Sequence, residues 1–215
     1  MDANTVANDA RFNPASEQTS SPQIVREENF EQAFLTLLQF KDKATFHHSN
    51  RVANITAEWI QFEQGKQHWS GINANALIQA ARLHDLGKVG ILDDILQKPS
   101  SLTAEERNQL NLHSELGYEM VRDVPGGSTI ALAIRHHHER WDGTGYPLGL
   151  KNNQIPLFAQ IIAIVDAYDA MTSERPYRAT VTREEASAEI ERNAGRQFSP
   201  VLAESFVQFL HARNV

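Results

Sequence analysis

The residues best suited to chemistry are imidazoles and carboxylates in a telling order. His84-Asp85 sits inside Leu83-His84-Asp85-Leu86-Gly87-Lys88, followed by His113, the run His136-His137-His138, and the pair Asp166 and Asp169. Borderline divalent metals are held by such groups, and ligands at helix-compatible intervals supply the parts of a two-metal hydrolase. The chain has no cysteine, so thiolate sites and disulfides are excluded and any metal is held by nitrogen and oxygen. Asp85 can bridge two ions through its two oxygens, leaving His84 to one ion and histidines of other helices to complete both shells. Two cations about 3.5–4 Å apart acidify a shared water and clamp a phosphodiester for in-line attack. On a helix, residues three and four apart share a face, which puts the Lys88 ammonium near His84 and Asp85.

Each residue also has a plainer reading. A single histidine on an apolar helix is ordinarily a hydrogen-bonded core residue; here the whole set argues for metal. His136-His137-His138 follows Ile130, Leu132 and Ile134 at the end of a buried-looking helix and precedes a glycine-rich loop. Two of the three are expected to bind metal, and only their register with the residues downstream can say which. Asp166 lies in an apolar helix, where a lone carboxylate is costly unless paired or metal-bound. Asp169 either holds a histidine ligand in place or pairs with Arg175 or Arg178.

The positioning elements read as helices, and the fold class is all-α. Phe30, Ala33, Phe34, Leu37 and Leu38 recur on one face of a helix that opens near Ile24, and a second helix runs through Arg51 and Trp59. Asn73 is a candidate N-cap for a third, which runs into His84-Asp85 before Gly87 breaks it. Thr103-x-x-Glu106 and Thr182-x-x-Glu185 read as capping boxes, and Ser199-Pro200 opens a last helix. Leu157 to Met171 is strongly apolar and helical. Between Glu139 and Pro156, glycines 143, 145 and 149 with prolines 147 and 156 mark a structured loop. Its glycines permit close approach to a ligand; Tyr146 offers a flat face for a base, whereas Trp141 reads better as pinning the loop to itself.

One domain over 24–215 fits the length, and residues 1–23, polar and with two prolines, read as a flexible, disordered leader. A formal charge of −7 argues against DNA or RNA as a partner. No stretch approaches the roughly 20 apolar residues that span a bilayer, and the first residues lack the features of a signal peptide, which fits a cytoplasmic protein.

Six motifs in sequence carry a family likeness. Asp42-x-x-Thr45-x-x-His48-Ser49-x-x-Val52 comes first, then His84-Asp85-Leu86-Gly87-Lys88 and His113-x-x-x-Gly117. After these come His137-His138-Glu139-x-x-Asp142-Gly143-x-Gly145-Tyr146-Pro147, Asp166-x-x-Asp169-Ala170-Met171-Thr172 and Arg175-Pro176-Tyr177-Arg178. Over about residues 25–212 the chain resembles an HD-GYP domain, the subgroup of metal-dependent HD phosphohydrolases that degrade cyclic di-GMP. The resemblance implies a compact HD-type helical domain with a GYP loop. It implies two divalent ions on His48, His84, Asp85, His113, His137, His138 and Asp166, with Asp85 as the bridge and His136 spare. It gives Lys88 a phosphate contact and a part at the leaving group, Gly145 and Tyr146 a place in the substrate pocket, and Arg175 and Arg178 the ligand's phosphate and guanine portions. Some members carry a glutamate four residues before the equivalent of His48, which helps bind a third metal; here that residue is Ala44. Two metals are therefore expected, with linear pGpG as product and the second cut to GMP open.

The likeness tilts the metal to iron or manganese, with zinc, nickel, magnesium and cobalt as alternatives. The expected catalytic pair is Asp85 and Lys88, the substrate cyclic di-GMP, and the input a separate sensory or diguanylate-cyclase protein. The competing reading is a signalling module that binds a cyclic dinucleotide or a protein with little turnover. A dNTP or alarmone hydrolase is a third reading, against which the Gly145-Tyr146-Pro147 loop weighs; cyclic GMP-AMP as substrate stays open.

Overall fold

Side-chain caps start four of the described helices. A computed structural model describes residues 22–64, 69, 71–173 and 181–213, with side chains from residue 30 onward. The residues expected to form a leader therefore fall almost wholly outside it. Helix α1 runs Pro22–Lys41 and α2 Lys43–Glu63, with the Asp42 carboxylate accepting from the Ala44 and Thr45 backbone N–H groups. Asn73 caps α3 (Ala74–Leu83) as its sequence predicts, accepting from Ala76 N. A 3₁₀ turn follows at Leu86–Gly90, then α4 (Asp93–Leu96), α5 (Ala104–Asn111), α6 (His113–Val121) and α7 (Gly127–His136). After a second 3₁₀ turn at Asn152–Gln154 come α8 (Leu157–Thr172), α9 (Arg183–Arg192) and α10 (Pro200–Ala212). Both expected capping boxes form, at Thr103/Glu106 and Thr182/Glu185, and Pro200 opens α10. No β-strand occurs among the described residues, so the chain is all-α. None of its described helices is long and apolar enough to cross a membrane.

Helix α8 is the centre of the core. Ile161, Ile162, Ile164 and Val165 are all fully buried, because α2, α7 and α9 pack around it. Burial of each such side chain is worth roughly 1.5–3 kcal/mol. A second aromatic knot forms around Trp59, whose ring meets Phe206 at 4.7 Å and Trp69 at 5.1 Å. Its Nε1 donates to Ser205 Oγ at 3.0 Å.

Two sequence expectations are corrected. The inward face of α1 is centred on Leu35 and Leu38, while Phe30 and Leu37 are 43% and 48% exposed. Glu31 accounts for the rotation: it takes Arg82 at 2.6 Å and Gln79 at 3.0 Å, which fixes the side of α1 that faces α3. Helix α3 ends at Leu83, earlier than a break at Gly87 implies, so Lys88 lies on the tighter 3₁₀ turn. Helix α4 and the division between α5 and α6 had no counterpart in the sequence reading, being too short to leave a periodic signal.

Candidate metal centre

Close approach between two glycines brings the first and second ligand segments together. A Cβ built on Gly87 would lie 1.8 Å from His113 O and 2.5 Å from Gly117 N. The turn after His84-Asp85 therefore presses directly on the first turn of α6, with no room for a side chain, and His113 arrives beside Asp85. Helix α2 contributes His48, the end of α7 contributes His137 and His138, and α8 contributes Asp166 and Asp169.

The seven expected ligands form two groups. One atom each from Asp85, His113, His137 and His138 lies within 4.8 Å of the others, and the same holds for His48, His84 and Asp166. Asp85 stands between the groups. Its Oδ1 is 3.5 Å from His113 Nε2, and its Oδ2 is 3.4 Å from His84 Nε2 and 3.9 Å from His48 Nε2.

Backbone bonds decide which ring nitrogen faces inward. Nδ1 of His84, His113 and His137 lies 2.8, 2.7 and 2.6 Å from the carbonyls of Ala81, Leu110 and Ile134. A carbonyl only accepts, so each Nδ1 carries the proton, and in the neutral ring Nε2 is left as a lone pair. Burial lowers the His113 and His137 imidazoles, His137 well below the usual range, where the neighbouring His138 and His84 add to the effect. Burial and His113 together bring His138 down to about 3. Both rings of the His113–His137 pair are then neutral, with lone pairs 3.5 Å apart and no proton to join them. His84 Nε2 is likewise buried without a hydrogen bond. Such an arrangement is costly unless a cation fills it, and the nitrogen and oxygen donors fit a divalent metal.

The second group is more acidic in character. His48 Nε2 is 3.0 Å from Asp166 Oδ1 and its Nδ1 is 2.6 Å from Asp169 Oδ2. Burial alone would lower this imidazole, yet the two carboxylates raise it to about 9. Asp166 is pushed below the usual carboxylate range against the effect of burial, chiefly by His48. The same holds for Asp85, where the Lys88 ammonium outweighs burial. Lys88 Nζ lies 2.6 Å from Asp85 Oδ2, so the expected proximity is present although the backbone carrying it is a 3₁₀ turn.

Asp169 Oδ2 lies 2.6 Å from Nδ1 of His48, a histidine of the second group. Its arginine partner among the described residues is Arg51, at 2.8 Å on each oxygen. Arg175 and Arg178, the partners foreseen for it and the cations foreseen for the ligand, lie outside the described residues. Arg51 had no role in the sequence reading. The signal was available: it stands three residues after His48 on α2, one turn along the same face. His136, the spare histidine, is buried away from both groups, with Nδ1 3.6 Å from Glu139 Oε1. Ala44, on the first turn of α2, brings no donor to the centre.

The glycine-rich loop folds over one rim of the centre. The Tyr146 ring stacks on His138 at 4.8 Å and 29°, and Tyr146 N donates to His138 O at 3.2 Å. Gly145 allows this turn, because a Cβ there would lie 2.4 Å from Arg140 N and 2.5 Å from His138 O. Trp141 N donates to Gln197 O at 3.1 Å, and Trp141 O accepts from Asn152 N at 3.1 Å, so its backbone joins the two limbs of the loop and ties them to the segment before α10.

Comparison with known proteins places this geometry. The HD domain family model matches residues 33–202. A cyclic di-GMP phosphodiesterase of Thermotoga maritima is 40% identical over 177 residues, 80% of this chain and 46% of that protein. A probable cyclic di-GMP phosphodiesterase of Vibrio cholerae is 42% identical over 187 residues, 81% of this chain and 42% of its own length. The chain thus spans less than half the length of these relatives. Vibrio cholerae proteins named 3'3'-cGAMP-specific phosphodiesterases also match, at 33% to 39% identity. Among solved structures, the HDG"Y"P protein Bd1817 of Bdellovibrio bacteriovorus superposes with a TM-score of 0.61 at 19% identity, covering 93% of this chain and 74% of that one. The chain belongs to the HD domain family, and its motifs fit the HD-GYP group within it.

Proposed function

We propose that this protein is a metal-dependent phosphodiesterase that opens cyclic di-GMP to linear pGpG. The observation that carries the reading is that His113 Nε2 and His137 Nε2 face each other 3.5 Å apart, each ring held through Nδ1 by a backbone carbonyl, beside a carboxylate that reaches a second ligand group. The names of the relatives supply the substrate class.

His48, His84 and Asp166 would hold one ion and His113, His137 and His138 the other, with one oxygen of Asp85 turned to each. When bound, the two ions supply charge neutralisation at phosphorus and an acidified water. The chain's own groups do the rest. Asp85 is kept ionised by Lys88, so it is ready as an acceptor at neutral pH. Lys88 places an ammonium beside the ligand groups, where it would hold a phosphate oxygen and give a proton toward the leaving oxygen. Gly145 and Tyr146 would form the wall against a base, and Arg175 and Arg178 would take phosphate and guanine edges, for which a planar guanidinium is suited. Asp169 orients His48.

Imidazole and carboxylate donors without thiolate suit iron or manganese, and zinc, nickel, magnesium or cobalt would bind the same set. Ala44 supports a centre of two ions and cleavage to pGpG, with the second cut to GMP left open. The proposed setting is the cytoplasm, with input from a separate sensory or cyclase protein.

The test is anaerobic metal analysis paired with chromatography of the products from cyclic di-GMP, using His84→Ala and Asp85→Ala as controls. Turnover to pGpG by the wild type, lost in both variants with helicity kept, is the expected result. Tight binding of cyclic di-GMP without turnover would overturn the reading in favour of a signalling module.

A further inference from the structure

The end of α7 sends its four polar side chains to two different places. His137 and His138 join the ligand groups; His136 and Glu139, three residues apart, do not. The Glu139 carboxyl is buried, and each of its oxygens accepts a backbone N–H from the far limb of the loop. Oε1 takes Leu148 N at 2.8 Å and Oε2 takes Leu150 N at 3.0 Å. Both oxygens are thus committed to the loop. The near limb is fixed by Gly145 against the backbone of His138 to Arg140, and the only side chain of the loop stacked on a candidate ligand is Tyr146 on His138. One carboxylate therefore spans the base of residues 140–150 and holds Tyr146 over the centre. The residue directly follows two candidate metal ligands, so the loop and the metal site share one stretch of backbone.

We infer that Glu139 is the positioning residue of the substrate wall: it fixes the Tyr146 loop and so governs capture of a two-base phosphodiester, without touching metal or substrate. This deepens the phosphodiesterase reading and rests on it. A small diester that needs no wall is indifferent to Glu139, whereas a cyclic dinucleotide depends on it.

The experiment uses the full chain loaded with manganese and the variants Glu139→Gln and Glu139→Ala. Gln keeps the shape but sets an NH2 group against one of the two backbone donors, and it remains readable if Ala impairs folding. Two readouts are taken: amide hydrogen exchange at Leu148 and Leu150, and turnover of cyclic di-GMP beside bis(4-nitrophenyl) phosphate. The expected result for Glu139→Gln is faster exchange at one or both amides, with the α7 amides unchanged. KM for cyclic di-GMP should rise about tenfold, the scale of one lost charge-assisted hydrogen bond. Metal content and small-diester turnover should stay at wild-type values. Unchanged exchange would overturn the inference, and so would equal loss on both substrates together with loss of metal. A wild type that cleaves the small diester but not the dinucleotide would sink the functional reading alone, and the exchange arm would still decide for or against the anchor.

Discussion

Arg51 lays its guanidinium fork on both oxygens of Asp169, Nε on Oδ1 and Nη2 on Oδ2, each at 2.8 Å. Ser173 Oγ adds a third bond to Oδ1 at 3.0 Å. Burial would raise the Asp169 carboxyl, but His48 and Arg51 bring it down to about 2, so it stays ionised and holds the His48 ring by Nδ1. Helices α2 and α8 are thereby joined at the point where one of the ligand groups forms.

Arg51→Gln should loosen that group. Partners that orient a metal-ligating histidine are worth about 10–100-fold in metal affinity, so a loss of about tenfold is expected, with unchanged helicity. Isothermal titration of the metal-free protein with manganese reads it directly; unaltered affinity would remove Arg51 from the centre.

Metal stoichiometry should separate the two groups. His84→Ala touches only one and is expected to retain about one equivalent of metal, while Asp85→Ala, which removes an oxygen from each, should retain less. Because ions bind the native state, chelation should lower Tm; saturation at 100 times Kd is worth about 2.7 kcal/mol. Elemental analysis of the dialysed variants and melting with and without a chelator check both points.

Gly87→Ala is expected to damage fold and centre together. The new methyl would meet His113 O and Gly117 N at distances where neither backbone can yield locally. Overpacking of this kind costs about 1–3 kcal/mol or more. Thermal melting should show it, and a variant with wild-type Tm and full metal content would mean that α6 is not pressed on the turn as described.

The pH dependence of the metal-free protein rests on His48, raised from its ordinary 6.5 to about 9. A group raised on folding contributes stability that is fully present below 6.5 and is lost as pH climbs through about 9. Metal-free protein should therefore lose Tm across that window. A metal at Nε2 must displace the proton shared with Asp166, so metal binding strengthens over the same range. The manganese-induced rise in Tm is expected to grow from pH 6.5 to 9, and a rise that shrinks would contradict the assignment of His48.

Much of the molecule was legible as sequence because it is local. Caps at Asn73, Thr103 and Thr182, the proline at position 200 and the apolar run into Asp166 each act within a few residues, so residue type and spacing settle where those helices begin. The order of imidazoles and carboxylates likewise pointed to metal chemistry before any contact was known. What the chain alone left open depends on rotation and approach between elements distant in sequence. Leu35 and Leu38 face inward on α1 because Arg82, some fifty residues on, holds Glu31. Arg51 meets Asp169 across 118 residues, and Glu139 reaches the far limb of its loop through backbone N–H groups that carry no residue identity. Residue types by themselves determined that imidazoles and carboxylates, and no thiolates, were available for a metal. Only tertiary packing decided that His113 and His137 bring their lone pairs to one point with Asp85 between two clusters, since that convergence depends on helix contacts such as the Gly87–Gly117 approach.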